Sequence, residues 1–267
     1  MTNLPMSATT PISVSGVGLK ARNGDALANY YQDLLGLEEL TRQDNAIVLG
    51  AAGYPLLTIE EDRSLKPDDP REAGLFHTAF LFPERADLAR WTQRAIERRI
   101  AIEGASDHLV SEAVYLTDPE GNGIEIYTDR SSDVWQWEGN EVVMKTLPLD
   151  FNDLLATPEA SEPYQAAPHG TVIGHVHLRV GDPIIADRWW REEFGLDTMA
   201  KYGPQAVFLS SGGYHHHIGA NSWRSAGAGQ RDGSRSGLAW IAMKVPADTA
   251  EAAVQDPWGT TIRKVHG

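Results

Sequence analysis

The chain of 267 residues is long enough for one or two domains, and its 42% hydrophobic and 22% charged residues are ordinary for a globular protein. Its 37 acidic and 23 basic residues give a net charge of −14, which disfavours binding to nucleic acid or to an anionic membrane surface. The absence of cysteine excludes disulfides and thiolate metal sites, so any metal ligands must be histidines or carboxylates. Residues 1–16 contain no signal-peptide pattern, and no stretch is long and apolar enough for a membrane span, so we expect a cytoplasmic protein.

Four segments alternate apolar and polar residues with the period of two that is typical of strands. They cover residues 15–21, 76–82, 174–180 and 239–245. The first three are each followed by a segment with helical spacing, at 25–35, 84–98 and 183–194. Short strand-like runs come next, such as 46–49, 113–117 and 206–209. This order predicts a strand–helix–strands unit that occurs four times, the fourth copy being too short for a helix.

Two sequence motifs that each occur twice support this internal repeat. The motif YYQDLLGL at 30–37 reappears as WWREEFGL at 189–196, and the turn motif DPEG at 118–121 reappears as DPWG at 256–259. The segment 131–168 breaks the repeat. We therefore predict an N-terminal module at 1–130, a connecting segment at 131–168 and a C-terminal module at 169–267.

Histidines occupy matched positions in two of the four leading strands. When these strands are aligned on their alternation, Gly16, His77, His175 and Trp240 fall at one position. A lone histidine on a strand face is more often an ordinary polar residue than a ligand, but two at matched positions favour a shared role. His177 lies two residues after His175, on the same strand face, and is the alternative candidate.

A carboxylate completes a candidate metal site. Glu125 lies between apolar neighbours in a predicted strand, where a buried acid needs a partner or a metal. The matching residue of the fourth unit is Arg263, which cannot bind a cation. We therefore expect His77, Glu125 and His175 to form the site where units two and three meet, and no site where units one and four meet. Two histidines and one carboxylate are typical of non-haem Fe(II) oxygenases.

The most specific pattern extends from His108 to Glu125. It has the form H-x5-V-Y-x2-D-P-x-G-x3-E. This pattern resembles the signature of extradiol ring-cleaving dioxygenases of the vicinal oxygen chelate superfamily. In that family the residues matching Glu125, His108 and Tyr115 are a metal ligand, a histidine near the substrate hydroxyl and a tyrosine that hydrogen-bonds the catechol.

The repeat itself is similar to the fold of the same superfamily over about residues 12–267. The resemblance implies an α+β fold in which tandem strand–helix–strand–strand–strand units curl into half-barrels, with the fourth unit abbreviated. In these relatives the metal site usually forms from the last two units. Here the matching residues lie in units two and three, so the resemblance implies a permuted pairing of units.

Three consecutive histidines precede Ile218. The family has a paired histidine on the matching strand, followed by a variable and an aliphatic residue, and aligning Ile218 with the aliphatic residue puts His216 at the acid–base position. On a strand, alternation turns His215 and His217 to the face opposite His216. The register of this alignment leaves His215 and His217 open as alternatives.

The resemblance implies an Fe(II)-dependent extradiol dioxygenase that takes a small aromatic diol of the catechol type and O2. Ring cleavage next to the diol would give a muconic semialdehyde-like product, and the ligand set also suits Mn(II). Two alternatives stay open, a metal-dependent glyoxalase-type lyase or isomerase and a non-catalytic resistance-type protein that binds an aromatic ligand. Consumption of O2 distinguishes the dioxygenase from both. A hydroquinone substrate and a homo-oligomeric state also stay open.

Overall fold

The computed structural model describes residues 4–266 and has a mixed α+β, strand-rich fold. A short helix, α1, comes first at Met6–Thr9. Unit one consists of β1 (Ser13–Ala21), α2 (Gly24–Leu35), β2 (Glu38–Gln43), β3 (Ala46–Ala51) and β4 (Tyr54–Glu61). Unit two consists of β5 (Gly74–Phe82), α3 (Arg85–Arg98), β6 (Gly104–Asp107), β7 (Ser111–Thr117) and β8 (Gly123–Asp129).

The connecting segment contains short elements only. They are two 3-10 turns (Ser132–Val134 and Pro158–Ser161), β9 (Trp137–Glu138), β10 (Glu141–Val142), β11 (Leu147–Pro148) and α4 (Phe151–Leu155). Unit three consists of β12 (Val172–Arg179), α5 (Pro183–Phe194), β13 (Asp197–Tyr202), β14 (Ala206–Ser210) and β15 (Ile218–Asn221). Unit four consists of β16 (Gly237–Lys244), β17 (Ala252–Gln255) and β18 (Thr261–Val265). The four leading strands and three helices match their predictions to within a few residues, and the fourth unit has no helix among the described residues.

The units combine in pairs into two curled sheets. Units one and four form a seven-stranded sheet in the order β17-β18-β16-β1-β4-β3-β2. Units two and three form most of a nine-stranded sheet in the order β11-β6-β7-β8-β5-β12-β15-β14-β13. Strand β5 pairs antiparallel with β12 at the centre of the larger sheet, so the middle two units meet as the histidine pattern predicts. Each sheet takes strands from both predicted modules, and the proposed division of the chain into modules remains a prediction.

The repeated helix motif marks two equivalent helix ends. Asn23 and Asp182 accept hydrogen bonds from backbone N–H groups in the first turns of α2 and α5, which satisfies donors that the helix leaves free. Gly36 and Gly195 end these helices in the left-handed conformation, at φ 67° and 65°. A Cβ at Gly36 would also lie 2.6 Å from the Cα of Ala166, so this glycine lets the connecting segment pack against the helix end.

The repeated DPxG turn positions the strand that follows it. The Asp118 carboxylate accepts hydrogen bonds of 2.9 Å from the backbone N–H groups of Glu120 and Asn122, and it accepts a 3.0 Å bond from the Tyr31 hydroxyl of α2. Asp256 accepts equivalent backbone bonds in unit four. The motif is therefore a structural turn, and in unit two it anchors the start of β8. No helix in the described part of the chain is long and apolar enough to cross a bilayer.

Candidate metal centre and adjoining cavity

Three buried side chains converge at the centre of the nine-stranded sheet. His77 lies on β5, Glu125 on β8 and His175 on β12. Ala79 of β5 pairs with Glu125 on one side and with His175 on the other, so these three residues form one row across the sheet. His77 precedes Ala79 by two residues, and its side chain is directed to the same face. The small methyl of Ala79 leaves room for the three longer side chains.

The ligand atoms of this group all lie within 4.8 Å of one another. Glu125 Oε2 is 2.9 Å from His77 Nε2 and 3.1 Å from His175 Nε2. His77 Nε2 is nevertheless a buried nitrogen without a hydrogen bond of acceptable geometry. A buried nitrogen without a partner destabilises the folded state unless a cation occupies the space between the three side chains. The three residues therefore fit a divalent metal ion.

The protonation states also suit a metal. Burial lowers the pKa of His175 to about 4, so its imidazole is neutral at pH 7, the form that binds metals. Burial alone opposes ionisation of Glu125, but its contacts with His175 and His77 lower the pKa of this carboxyl well below its usual value. The group thus combines a carboxylate with the neutral imidazole of His175.

His177 lies outside this group of converging ligand atoms. Its ring packs at 5.1 Å from the ring of Phe76, at 5.5 Å from Phe208 and at 5.5 Å from Trp223. The aromatic surroundings place His177 in the wall of the adjoining cavity. This geometry favours His175 over His177 as the ligand. The assignment of His175 as a metal ligand remains a proposal.

A cavity of about 450 Å³ opens next to the three candidate ligands, within the range of small-molecule sites. Its aromatic wall is formed by Phe76, Tyr202, Phe208 and Trp223. Its polar lining includes three residues that the sequence singled out, namely His108, Tyr115 and His216. The structure thus brings all six predicted site residues to one cavity, while their roles remain proposals.

His108 and Tyr115 form a fixed pair in this cavity. The Tyr115 hydroxyl lies 2.6 Å from His108 Nε2, and His108 Nδ1 lies 2.7 Å from the backbone carbonyl of Lys145. Because a carbonyl only accepts, Nδ1 carries the proton and Nε2 accepts from the tyrosine. Burial, followed by the nearby Glu125 carboxylate, raises the pKa of Tyr115 well above its usual value, so its hydroxyl stays a donor.

The three consecutive histidines point in different directions. His216 lines the cavity, with its ring 4.1 Å from that of His175. His215 Nε2 lies 2.9 Å from Asp129 Oδ1, and His217 Nδ1 lies 2.8 Å from the Ser210 hydroxyl. The expectation that they sit on a strand is wrong, because β15 begins only at Ile218. Irregular backbone, rather than strand alternation, separates their side chains.

Asp129 was missed by the sequence reasoning, although a signal for it exists. It lies four residues after Glu125 on β8, and the period of two puts it on the same face as Glu125 and Tyr127. The carbonyl of Lys145 has no such signal, because any residue supplies a carbonyl and this one comes from the connecting segment.

The corresponding place in the seven-stranded sheet is filled by other side chains. The Arg263 guanidinium stacks 4.0 Å from the ring of Trp240, and Trp240 Nε1 donates a 2.7 Å hydrogen bond to Glu60. Gly18 lies under this indole, since a Cβ there would meet its ring atoms at 2.3 Å. Within residues 4–266, His77, Glu125 and His175 form the one group of such ligands.

The curled sheets and this His–Glu–His cavity define a protein of the glyoxalase fold. The chain belongs to the glyoxalase/bleomycin resistance protein/dioxygenase superfamily, whose family model matches residues 16–126. Over 233 aligned residues it is 39% identical to catechol-2,3-dioxygenase of Bacillus subtilis. This alignment covers 85% of this chain and 81% of that protein.

Two further comparisons extend this relationship. The chain is 33% identical over 150 residues to biphenyl-2,3-diol 1,2-dioxygenase 3 of Rhodococcus globerulus, covering 48% of this chain and 72% of that protein. The crystal structure of glyoxalase I from Zea mays superposes with a TM-score of 0.57 at 12% identity, covering 96% of this chain and 92% of the other. The last likeness concerns the fold alone.

Proposed function

We propose that the protein is an Fe(II)-dependent extradiol dioxygenase that cleaves a catechol-type aromatic diol next to its two hydroxyl groups. Both atoms of O2 enter the product, a ring-opened acid of the muconic semialdehyde type. The observation that carries the proposal is the convergence of His77, Glu125 and His175 beside His108, Tyr115 and His216 in one cavity. The 39% identity to a catechol-2,3-dioxygenase over most of the chain supports the same reaction.

Three protein ligands leave coordination positions open for other molecules. Iron held by His77, Glu125 and His175 would supply the positive charge that acidifies the diol and the redox chemistry that activates O2. Mn(II) suits the same ligands. The buried position of all three residues keeps bulk water away from this chemistry.

His108 and Tyr115 hold the diol in this proposal. The carbonyl of Lys145 fixes the His108 ring, and the Tyr115 hydroxyl contacts His108 Nε2. On diol binding, the Tyr115 hydroxyl would turn its single proton from His108 Nε2 to a substrate oxygen and stabilise the negative charge there. The aromatic wall of Phe76, Phe208 and Trp223 suits the planar ring.

His216 is the general acid–base group in this proposal. Burial, followed by the nearby His175, lowers the pKa of His216 well below its usual value, so the ring is neutral and able to accept a proton. Its place in the cavity wall allows it to take a proton from one diol hydroxyl and to return it later.

The test begins with anaerobic addition of Fe(II) to the purified protein, followed by catechol and then air. We expect a yellow ring-fission product and the uptake of one O2 for each ring cleaved. A Glu125→Ala variant serves as the control and is expected to give neither. Turnover of a hemithioacetal without O2 uptake would instead identify a glyoxalase-type enzyme. Tight binding of an aromatic ligand by the metal-free protein without turnover would identify a resistance-type binding protein.

A further inference from the structure

A chain of hydrogen bonds connects the cavity wall to a carboxylate behind it. His216 Nδ1 lies 2.7 Å from His215 Nδ1, and His215 Nε2 lies 2.9 Å from Asp129 Oδ1. His215 is fully buried, whereas the Asp129 side chain is 17% exposed. The hydrogen-bonded residues Asp129, His215 and His216 therefore connect a partly exposed carboxylate to the cavity.

The available donors and acceptors determine where the protons lie. An ionised Asp129 only accepts, so His215 Nε2 carries the proton that it donates. In its neutral form His215 has a lone pair on Nδ1, to which His216 Nδ1 donates the hydrogen bond. His216 Nε2 is then the unprotonated nitrogen. In many histidine sites the hydrogen bond made by one ring nitrogen determines in this way which nitrogen carries the proton.

The surroundings hold the middle ring of this chain in place. The ring of Tyr214 lies 4.0 Å from that of His215, and the ring of Trp135 lies 5.3 Å from it. The Tyr214 hydroxyl also contacts Asp129 Oδ1 at 3.2 Å. His215 thus has little freedom to rotate away from Asp129 or from His216.

We propose that Asp129 and His215 are positioning residues that hold His216 in its Nδ1–H tautomer, with Nε2 unprotonated and available to the cavity. The catalytic consequence of this arrangement rests on the proposed function, because only an acid–base His216 gains from a fixed tautomer. The tautomer itself does not depend on that function and can be measured without any reaction.

Long-range proton–nitrogen NMR of the ¹⁵N-labelled, metal-free, full-length chain reads the tautomer of each histidine directly. We expect His215 protonated at Nε2 and His216 protonated at Nδ1. Asp129→Ala removes the acceptor and should mix the tautomers of both rings, whereas Asp129→Asn keeps an acceptor oxygen and should preserve them. Should Asp129→Ala fail to fold, His215→Phe keeps the aromatic packing and should release the His216 tautomer. His216 protonated at Nε2 in the unaltered protein overturns the proposal.

Kinetics of the Fe(II)-loaded protein supply the second readout. Loss of an orienting partner typically costs about 10–100-fold, so we expect Asp129→Ala to lower kcat by that factor with little change in KM. Asp129→Asn should restore most of kcat. The matched control is Tyr214→Phe, which removes the other hydroxyl contact to Asp129 and should leave both tautomer and kcat near those of the unaltered protein. Equal losses in Tyr214→Phe and Asp129→Ala would mean that the network is merely structural.

The two proposals fail in different ways. Absence of ring cleavage in a protein with the expected tautomers would refute the dioxygenase and leave the hydrogen-bond chain intact. Active protein with unchanged tautomers in Asp129→Ala would refute the hydrogen-bond chain and leave the dioxygenase intact.

Discussion

Tyr115 on β7 stands directly opposite Glu125 on β8, so one antiparallel pair presents a candidate substrate contact and a candidate metal ligand side by side. This pairing explains the spacing of the sequence motif. The turn at residues 118–122 closes the β7–β8 hairpin, and its length determines which residue of β7 faces Glu125. The motif is therefore the sequence of one hairpin whose two strands meet at the site.

The three candidate ligands should be needed for metal binding. We expect replacement of His77, Glu125 or His175 by Ala to lower the affinity for Fe(II). Loss of a residue that only hydrogen-bonds to a metal ligand lowers metal affinity by roughly 10–100-fold, and loss of a ligand itself should lower it further. Metal analysis after dialysis and calorimetric titration measure this effect. His177→Ala is the matched control, since it removes a neighbouring histidine of the same strand, and it should keep the metal. Full metal content in His175→Ala, with loss in His177→Ala, would move the ligand to His177.

The chain should bind one metal ion. In the seven-stranded sheet the corresponding positions hold Gly16, Trp240 and Arg263, and the guanidinium stacked on the indole occupies the space with a positive charge. Metal-to-protein ratios near one, measured after removal of loose ions, are the expected outcome. Two tightly bound ions per chain would contradict the assignment of this sheet as inert.

Tyr115→Phe should lower turnover without releasing the metal. The change removes the hydroxyl that lies 2.6 Å from His108 Nε2, and the loss of one such donor typically costs about 10²–10³-fold in kcat. Tyr127→Phe is the matched control, because Tyr127 is a buried tyrosine of the adjacent strand whose hydroxyl contacts Tyr214 instead. Steady-state O2 uptake compares the two variants. Similar losses in both would show that a buried hydroxyl matters only for packing.

His216→Ala should keep its iron and bind catechol but lose turnover by roughly 10²–10⁴-fold, the usual effect of removing a general acid–base group. The defect should shrink at high pH, where catechol loses a proton without assistance. His215→Ala and His217→Ala should be milder, since neither side chain lines the cavity. A larger, pH-dependent defect in His217→Ala would move the acid–base role to that residue.

Burial of His217 should make folding stability depend on pH. Burial lowers its pKa to about 3, and the neutral ring accepts from the Ser210 hydroxyl and donates to the Ser7 carbonyl. Below the unfolded pKa of about 6.5 the unfolded chain binds a proton that the folded chain does not, so stability falls as pH falls from 6.5 towards 3. The loss attributable to one such group is about 1.4 kcal/mol per pH unit.

Urea denaturation of the metal-free protein at pH 7 and pH 5 measures this dependence. His217→Gln lacks the titrating ring and should show a correspondingly flatter change in the free energy of unfolding between the two pH values. An identical change in the variant and the unaltered protein would assign the effect to other groups.

The sequence by itself determined the repeating units and the residues that converge on the site. Strand alternation and helical spacing are properties of contiguous segments, so they predicted the four leading strands and three helices. The presence of Arg263 and Trp240 at the ligand positions of one pair of units indicated that His77, Glu125 and His175 belong to the other pair. Their close approach follows from register, because β8, β5 and β12 are neighbouring strands.

Tertiary structure alone decided the partners that orient these residues. His215 meets Asp129 across 86 positions of the chain, and His108 meets the Lys145 carbonyl through a connecting segment without a regular period. Of the three histidines before β15 only His216 lines the cavity, as expected, but irregular backbone rather than strand alternation turns the side chains apart. Contacts of this kind depend on how distant segments pack, and hydrogen-bond partners without a local pattern become defined only when the sheets have assembled.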